Sequence, residues 1–112
     1  MLIKVDGFVD TITVGKLEQV LDSILKSKCY KIIVDLANVD YISSAGWSAL
    51  LSKIKEIREK GGDLKLLSLQ PDVHEVFELL ELDYILKSFN NLEAAVSDFE
   101  LSPAFEINKQ IN

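Results

Sequence analysis

Cysteine, histidine, proline and net positive charge are all scarce in this chain of 112 residues, and each shortage excludes something. A single cysteine, Cys29, cannot form an internal disulfide, and its place ahead of an apolar run suits an inert buried thiol better than a redox centre. A single histidine, His74, has no cysteine to share a metal with; beside Asp72 and Glu75 it reads as a surface residue in the first turn of a helix. Lys and Arg number 12 against 18 Asp and Glu, a net charge of -6, so the basic face a nucleic-acid partner requires is missing. The glycines, at 7, 15, 46, 61 and 62, compose neither a dinucleotide fingerprint nor a phosphate-binding loop. No apolar run approaches the roughly 18 residues of a spanning helix, and the N-terminus lacks the basic segment and apolar core of a signal peptide. A cytoplasmic location without membrane insertion is expected. No enzymatic constellation, cofactor or metal site is expected either, because Asp72, Glu75, Glu78 and Glu81 follow helical spacing and form a solvated helix face.

What is present is an alternation of strand and helix patterns. Residues 2–5, Leu-Ile-Lys-Val, predict a strand closed by an Asp6-Gly7 turn. Leu17, Val20, Leu21, Ile24 and Leu25 then mark an amphipathic helix. The β-branched run at 30–36, Tyr-Lys-Ile-Ile-Val-Asp-Leu, is of the kind buried on both faces of a parallel sheet. Trp47, Leu50, Leu51, Ile54 and Ile57 form the stripe of a helix over 44–60, with Lys53, Lys55, Arg58 and Lys60 complementing its C-terminal end and Gly61-Gly62 ending it. A strand at 64–69, a helix opened by Pro71, a short strand at 84–86 and a helix over 91–99 complete the pattern. Asn90 with Glu93 resembles a capping box for that last helix.

These elements predict an α/β fold of one domain over 1–100, with a central mixed, mostly parallel sheet of about four strands and about four helices. The tail, 101–112, is broken by Pro103; fraying and addition to a sheet edge are both open to it.

The segment from Val34 to Trp47 carries the most information. It runs from the central strand into a helix N-terminus and places Ser43 and Ser44 at the junction, where unpaired amides and the positive end of the helix dipole favour an added phosphate. One serine is expected to cap the helix, which leaves the other spare. Trp47 is either core, as the first residue of the apolar stripe, or a contact anchor beside Gly46.

Asp35-Leu36, Val39, Tyr41-Ile42, then the serine pair and Gly46 at a helix start resemble the signature of STAS domains, especially bacterial anti-sigma factor antagonists. The likeness runs from about residue 1 to 100 and takes in the Gly61-Gly62 helix end, the 64–69 strand and the Pro71 helix. It implies a binding module that engages a serine kinase acting as an anti-sigma factor and so frees a sigma factor. Phosphorylation at this helix N-terminus would break the complex, and a phosphatase would restore it. The implied contact surface is Asp40, Tyr41, Ile42, Ser44, Gly46 and Trp47, with Gly46 permitting close backbone approach.

Three departures stand beside the likeness. The family motif reads aspartate, serine or threonine, serine, glycine; aligned on Gly46, this chain has Ser43 in the aspartate place, Ser44 in the first hydroxyl place and Ala45 where the phosphoacceptor stands. Ser44 is thus the first substitute acceptor and Ser43 the second; the alternative is a chain that binds constitutively. Family members usually carry a further strand before the one at 2–5, so an open edge is expected, to be covered by the tail or by a second copy of the chain. Trp47 replaces a usual leucine. The rival functions are a STAS subunit of a transport assembly or signalling scaffold without phosphorylation control and, more remotely, a small nucleotide-handling enzyme.

Overall fold

The computed structural model describes residues 1–100; the tail at 101–112 lies outside them. Four strands, β1 (Leu2–Val9), β2 (Lys31–Ile42), β3 (Asp63–Leu67) and β4 (Ser88–Phe89), form one sheet in the order β1-β2-β3-β4. All three pairings are parallel, which corrects the expectation of a mixed sheet. The helices are α1 (Val14–Lys26), α2 (Ser44–Leu51), α3 (Ile54–Glu59), α4 (Pro71–Leu79) and α5 (Leu92–Glu100), with a 3-10 turn at Leu82–Tyr84. Consecutive strands joined by helices on one face yield this sequential order, because crossovers between parallel strands keep one hand.

Both long strands exceed the expected lengths. Asp6-Gly7 is not a turn: Gly7, at φ 83°, is part of a bulged stretch where the register with β2 shifts between Lys4 and Asp6 and again between Gly7 and Phe8. Only the positive φ that glycine tolerates lets β1 continue through this kink. β2 likewise runs past the polar Asn38 and Asp40 to Ile42, since Val39 and Ile42 still point into the core.

The helix expected over 44–60 is two helices. Ser52 Oγ donates to Ala49 O at 2.8 Å, taking up a carbonyl of the last turn of α2, and the Lys53 side chain, in the two-residue gap before α3, meets Asp22 of α1 at 2.7 Å. The segment expected as a strand at 84–86 belongs to the irregular link after α4, which Glu81 ends in the left-handed region at φ 58°. Leu82 and Leu86 are apolar because they close the core, and pairing with β3 is left to Ser88 and Phe89. The cap of α5 is Asn91, whose Oδ1 accepts from Ala94 N at 2.8 Å; Asn90 and Glu93 do not make the expected box.

The two faces of the sheet differ in kind. Helices α1 to α4 pack on one face, where Leu21, Ile32, Val34, Leu50, Leu66 and Phe77 are among the fully buried members of a continuous apolar core. The other face is covered over β3 and β4 by α5, with a small cluster of Ile33, Leu67, Ala95 and Phe99. Lys65 points into this smaller layer, only 4% exposed, pairs with Asp98 of α5 and lies 4.5 Å from the Phe99 ring centroid. β1 has β2 on one side and no second strand partner among the described residues.

Candidate functional site

The C-terminal ends of β1 and β2 meet the N-terminus of α2. Ser43 is extended, with φ −78° and ψ 171°, and its hydroxyl accepts from Gly46 N at 3.3 Å. Its own N–H donates to Val9 O at 2.8 Å, fastening the junction to β1. Ser43 is thus the helix cap, and Ser44, the first residue of α2, is the exposed hydroxyl. Neither turn of α2 that ends the helix contains a charged side chain, so nothing on the helix itself neutralises the amide end next to Ser44.

The six expected contact residues separate into two sets. Asp40, Tyr41 and Ser44 are exposed, while Ile42, Gly46 and Trp47 are buried. The close approach that Gly46 permits is to its own sheet: a Cβ there would stand 2.8 Å from both Val9 Cγ1 and Ile42 Cγ2. A side chain at 46 would push α2 off the strand ends, so this glycine holds the junction together rather than admitting a partner's backbone. Trp47 is core, 4% exposed, its ring centroid 5.8 Å from that of Phe77 at an interplanar angle of 32°.

One exposed aromatic joins the surface that sequence reasoning did not place there, and the loop after it carries a second exposed apolar side chain. Phe8 packs edge-on against Tyr41, centroids 6.4 Å apart and planes at 83°, with both rings more than half exposed. Ile12 projects from the β1–α1 loop at 88% exposure. That loop is firmly built. Asp10 Oδ1 accepts from Ile12 N at 2.9 Å and Thr13 N at 3.0 Å, and Thr13 Oγ1 donates to Phe8 O at 2.8 Å. The amides of Thr13 and Ile12 hold the Asp10 carboxyl below the usual carboxylate range. Phe8 escaped notice because the strand was expected to end at Val5; the signal was the alternation resuming beyond Gly7, Phe8 outward and Val9 inward.

Beside this surface a cleft of about 200 Å³ opens between Asp40, Tyr41 and Ile42 of β2, Trp47 of α2, and Asp72, Val73 and Val76 of α4. Neither carboxylate in it has a hydrogen-bond or ion-pair partner among the described residues.

The remaining singled-out residues have structural surroundings. His74 is partly exposed, with Nδ1 2.9 Å from Glu78 one turn on. Cys29 is half-buried, not buried, because it sits in the short loop before β2, its Sγ 3.9 Å from Lys31 O. Lys53 and Arg58 form tertiary links rather than mere helix-end complements: Asp22 raises the Lys53 ammonium's pKa by accepting its hydrogen bond, and Arg58 Nε is 3.1 Å from Asp63. Among the described residues no group of three metal-ligating side chains occurs, and no helix is long and apolar enough to cross a membrane.

Comparison with known proteins identifies this arrangement. Over 94 residues the chain is 35% identical to BtrV of Bordetella bronchiseptica, described as a candidate anti-sigma factor antagonist, covering 84% of this chain and 81% of the relative. An anti-sigma F factor antagonist of Paenibacillus polymyxa is 24% identical over 102 residues, covering 90% of this chain and 87% of the relative. The fold matches the crystal structure of a candidate anti-sigma factor antagonist from Thermotoga maritima with a TM-score of 0.81 at 23% identity, covering 87% of this chain and 84% of that one. The STAS domain model matches residues 1–95, and the chain belongs to the STAS domain family.

Proposed function

We propose that this protein is an anti-sigma factor antagonist, a cytoplasmic binding module rather than an enzyme, which docks on a serine-kinase anti-sigma factor and releases the sigma factor that kinase holds. The observation that carries the reading is the pair of exposed aromatic rings, Phe8 against Tyr41, at the ends of the two strands that meet the α2 junction where the Ser44 hydroxyl is exposed. Large apolar side chains held in solvent by a rigid loop and a strand pair are costly unless a partner covers them, and aromatic anchors are the residues that contribute most to protein interfaces. The relatives' names supply the partner's class.

Ser44 is the regulated position in this reading, with Ser43 the second candidate. A phosphate on Ser44 adds about -1.5 to -2 charge at an uncompensated helix N-terminus, so the fold tolerates it while docking against a matched surface does not. Ser43 is the poorer acceptor because its oxygen already caps α2. Ala45 at the family's usual acceptor place favours a second reading, constitutive binding in a scaffold or transport assembly.

The test is calorimetric titration of the unmodified chain and of Ser44→Asp into the purified anti-sigma factor kinase, with unfolding midpoints measured in parallel. At least tenfold weaker binding by Ser44→Asp at an unchanged midpoint is expected. Equal binding by both forms removes Ser44 as the switch and leaves the constitutive reading; no binding by the unmodified chain removes the antagonist function.

A further inference from the structure

β1 stands at the edge of the sheet, with β2 on one side and no second strand partner among the described residues. Met1 O accepts from Ile33 N and Val9 O from Ser43 N, so the odd-numbered residues turn their main chain toward β2 while Leu2, Lys4 and Asp6 turn theirs outward. The edge therefore offers main-chain donors and acceptors to another strand. Its side chains alternate as well: Ile3, Val5 and Val9 face the large core, while Leu2, Lys4, Asp6 and Phe8 are exposed on the opposite face, which α5 covers over β3 and β4. Clefts of about 290 and 470 Å³ run along the same edge between β1 and α1. Val20, the exposed member of the α1 stripe, lines both of them together with Ile3.

We propose that this edge pairs with β1 of a second copy of the chain, antiparallel and about a twofold axis at Val5. In that register Lys4 stands opposite Asp6 of the second copy and Leu2 opposite Phe8, and the symmetry repeats each pair. Moving the axis by one residue sets Lys4 against Lys4 or Asp6 against Asp6, so the charges fix the register. Both ions are available for it: Lys4 has no partner among the described residues, and Asp6 uses only Oδ1, which accepts from Asn38 Nδ2 at 3.1 Å. On the core-side face Val5 meets Val5, and Ile3 enters the open space beside Gly7 of the second copy. Phe8 keeps Tyr41 on its β2 side and gains Leu2 of the second copy on the other, which leaves the Tyr41 ring uncovered. The two sheets become one of eight strands, with α1 to α4 of both copies on the same face. Nothing in this assignment depends on the antagonist reading.

Sedimentation of the full unmodified chain from about 10 µM to about 1 mM is expected to pass from one chain to two. Amide exchange at Leu2, Lys4 and Asp6 should slow over the same range. In a Cys29→Ser background Val5→Cys is expected to form an intermolecular disulfide on mild oxidation, because directly opposed antiparallel residues bring their Cβ atoms within about 5 Å. Leu2→Cys lies on the same edge but about 20 Å from its counterpart, and should stay reduced. Lys4→Asp is expected to weaken the dimer about tenfold, and Lys4→Asp/Asp6→Lys, which restores both the pairing and the net charge, to recover it. Sedimentation and exchange of the unmodified chain decide the matter alone where a variant does not fold. A chain that stays single at every concentration overturns the inference; slow exchange at those three amides would then give the edge to the segment 101–112, and fast exchange would leave it bare. A dimer that cross-links through Leu2→Cys rather than Val5→Cys, or that is indifferent to Lys4→Asp, overturns it by placing the contact elsewhere.

Discussion

The two faces of the sheet are held by different physics. Under α1 to α4 the attachment is a broad apolar layer in which Phe77, Leu21 and Ile32 are at most 1% exposed and no buried charged side chain intrudes. Under α5 the apolar cluster is small, and a buried ammonium fills the layer: Lys65 pairs with Asp98, which also lies 3.4 Å from Lys87, and contacts the rings of Phe99 and Phe89. The first face depends on volume and tolerates changes of charge around it. The second depends on one pairing, since an ion left alone in that layer has no water to replace its partner.

Deleting a ring from the large face should have the largest effect. Phe77→Ala removes a fully buried side chain and the surface on which Trp47 rests, and is expected to cost about 4 kcal/mol in denaturant unfolding. A loss below about 1 kcal/mol would mean that this face is not the principal core.

Breaking the small face comes next. Asp98→Ala leaves Lys65 with only Asp63, 3.9 Å away, and the two aromatic rings, and should cost about 3 kcal/mol with loss of amide protection concentrated in α5. Replacing both ions, Lys65→Met with Asp98→Leu, should return stability to within about 1 kcal/mol of the parent. If the double change is as harmful as the single one, α5 is held by something other than the pairing.

Gly46→Ala probes the edge of the large face, where α2 touches β1 and β2. The added methyl group meets Val9 and Ile42 at 2.8 Å, so about 2 kcal/mol should be lost, together with affinity for the partner as Ser44 shifts outward. Unaltered affinity despite lost stability would detach the junction's geometry from docking.

The smallest effect is one of pH. The Lys65 hydrogen bond, opposed by burial and reinforced by the charges of Lys65 and Lys87, holds the Asp98 carboxyl below its ordinary value of 3.8. A depressed carboxyl contributes stability that is complete above its unfolded-state pKa and disappears as pH falls through the folded-state value. Urea midpoints from about pH 6 to about pH 3 should therefore converge between the parent and Asp98→Asn as the solution becomes acid. Parallel curves would deny the pairing its role on this face.

These two faces also separate what was legible. The stripe of Leu17, Val20, Leu21, Ile24 and Leu25 and the run at Ile32, Ile33 and Val34 announce burial by spacing and composition alone, and the structure buries all of them except Val20, which is exposed at the edge of the stripe. Lys65 reads as an ordinary outward residue of an alternating strand until α5 is laid over it. At the candidate site Asp40, Tyr41 and Ser44 were legible as a surface, whereas Phe8 was hidden by an Asp-Gly pair that signals a turn in most contexts and here makes a bulge. Gly46 was recognised as a point of close approach, but which backbone it approaches depended on where β1 ends.

Local periodicity determined the alternation of strands and helices, the single domain and the polar junction between β2 and α2, because side-chain spacing along a strand or helix requires no knowledge of distant residues. The tertiary structure decided that every strand pair is parallel, that Ser43 caps while Ser44 faces solvent, that Trp47 lies buried with its N–H unpaired, and that Lys65 finds Asp98 across 33 residues of chain. Each of these is a contact between segments far apart in sequence, and its energy exists only once the sheet has brought them together.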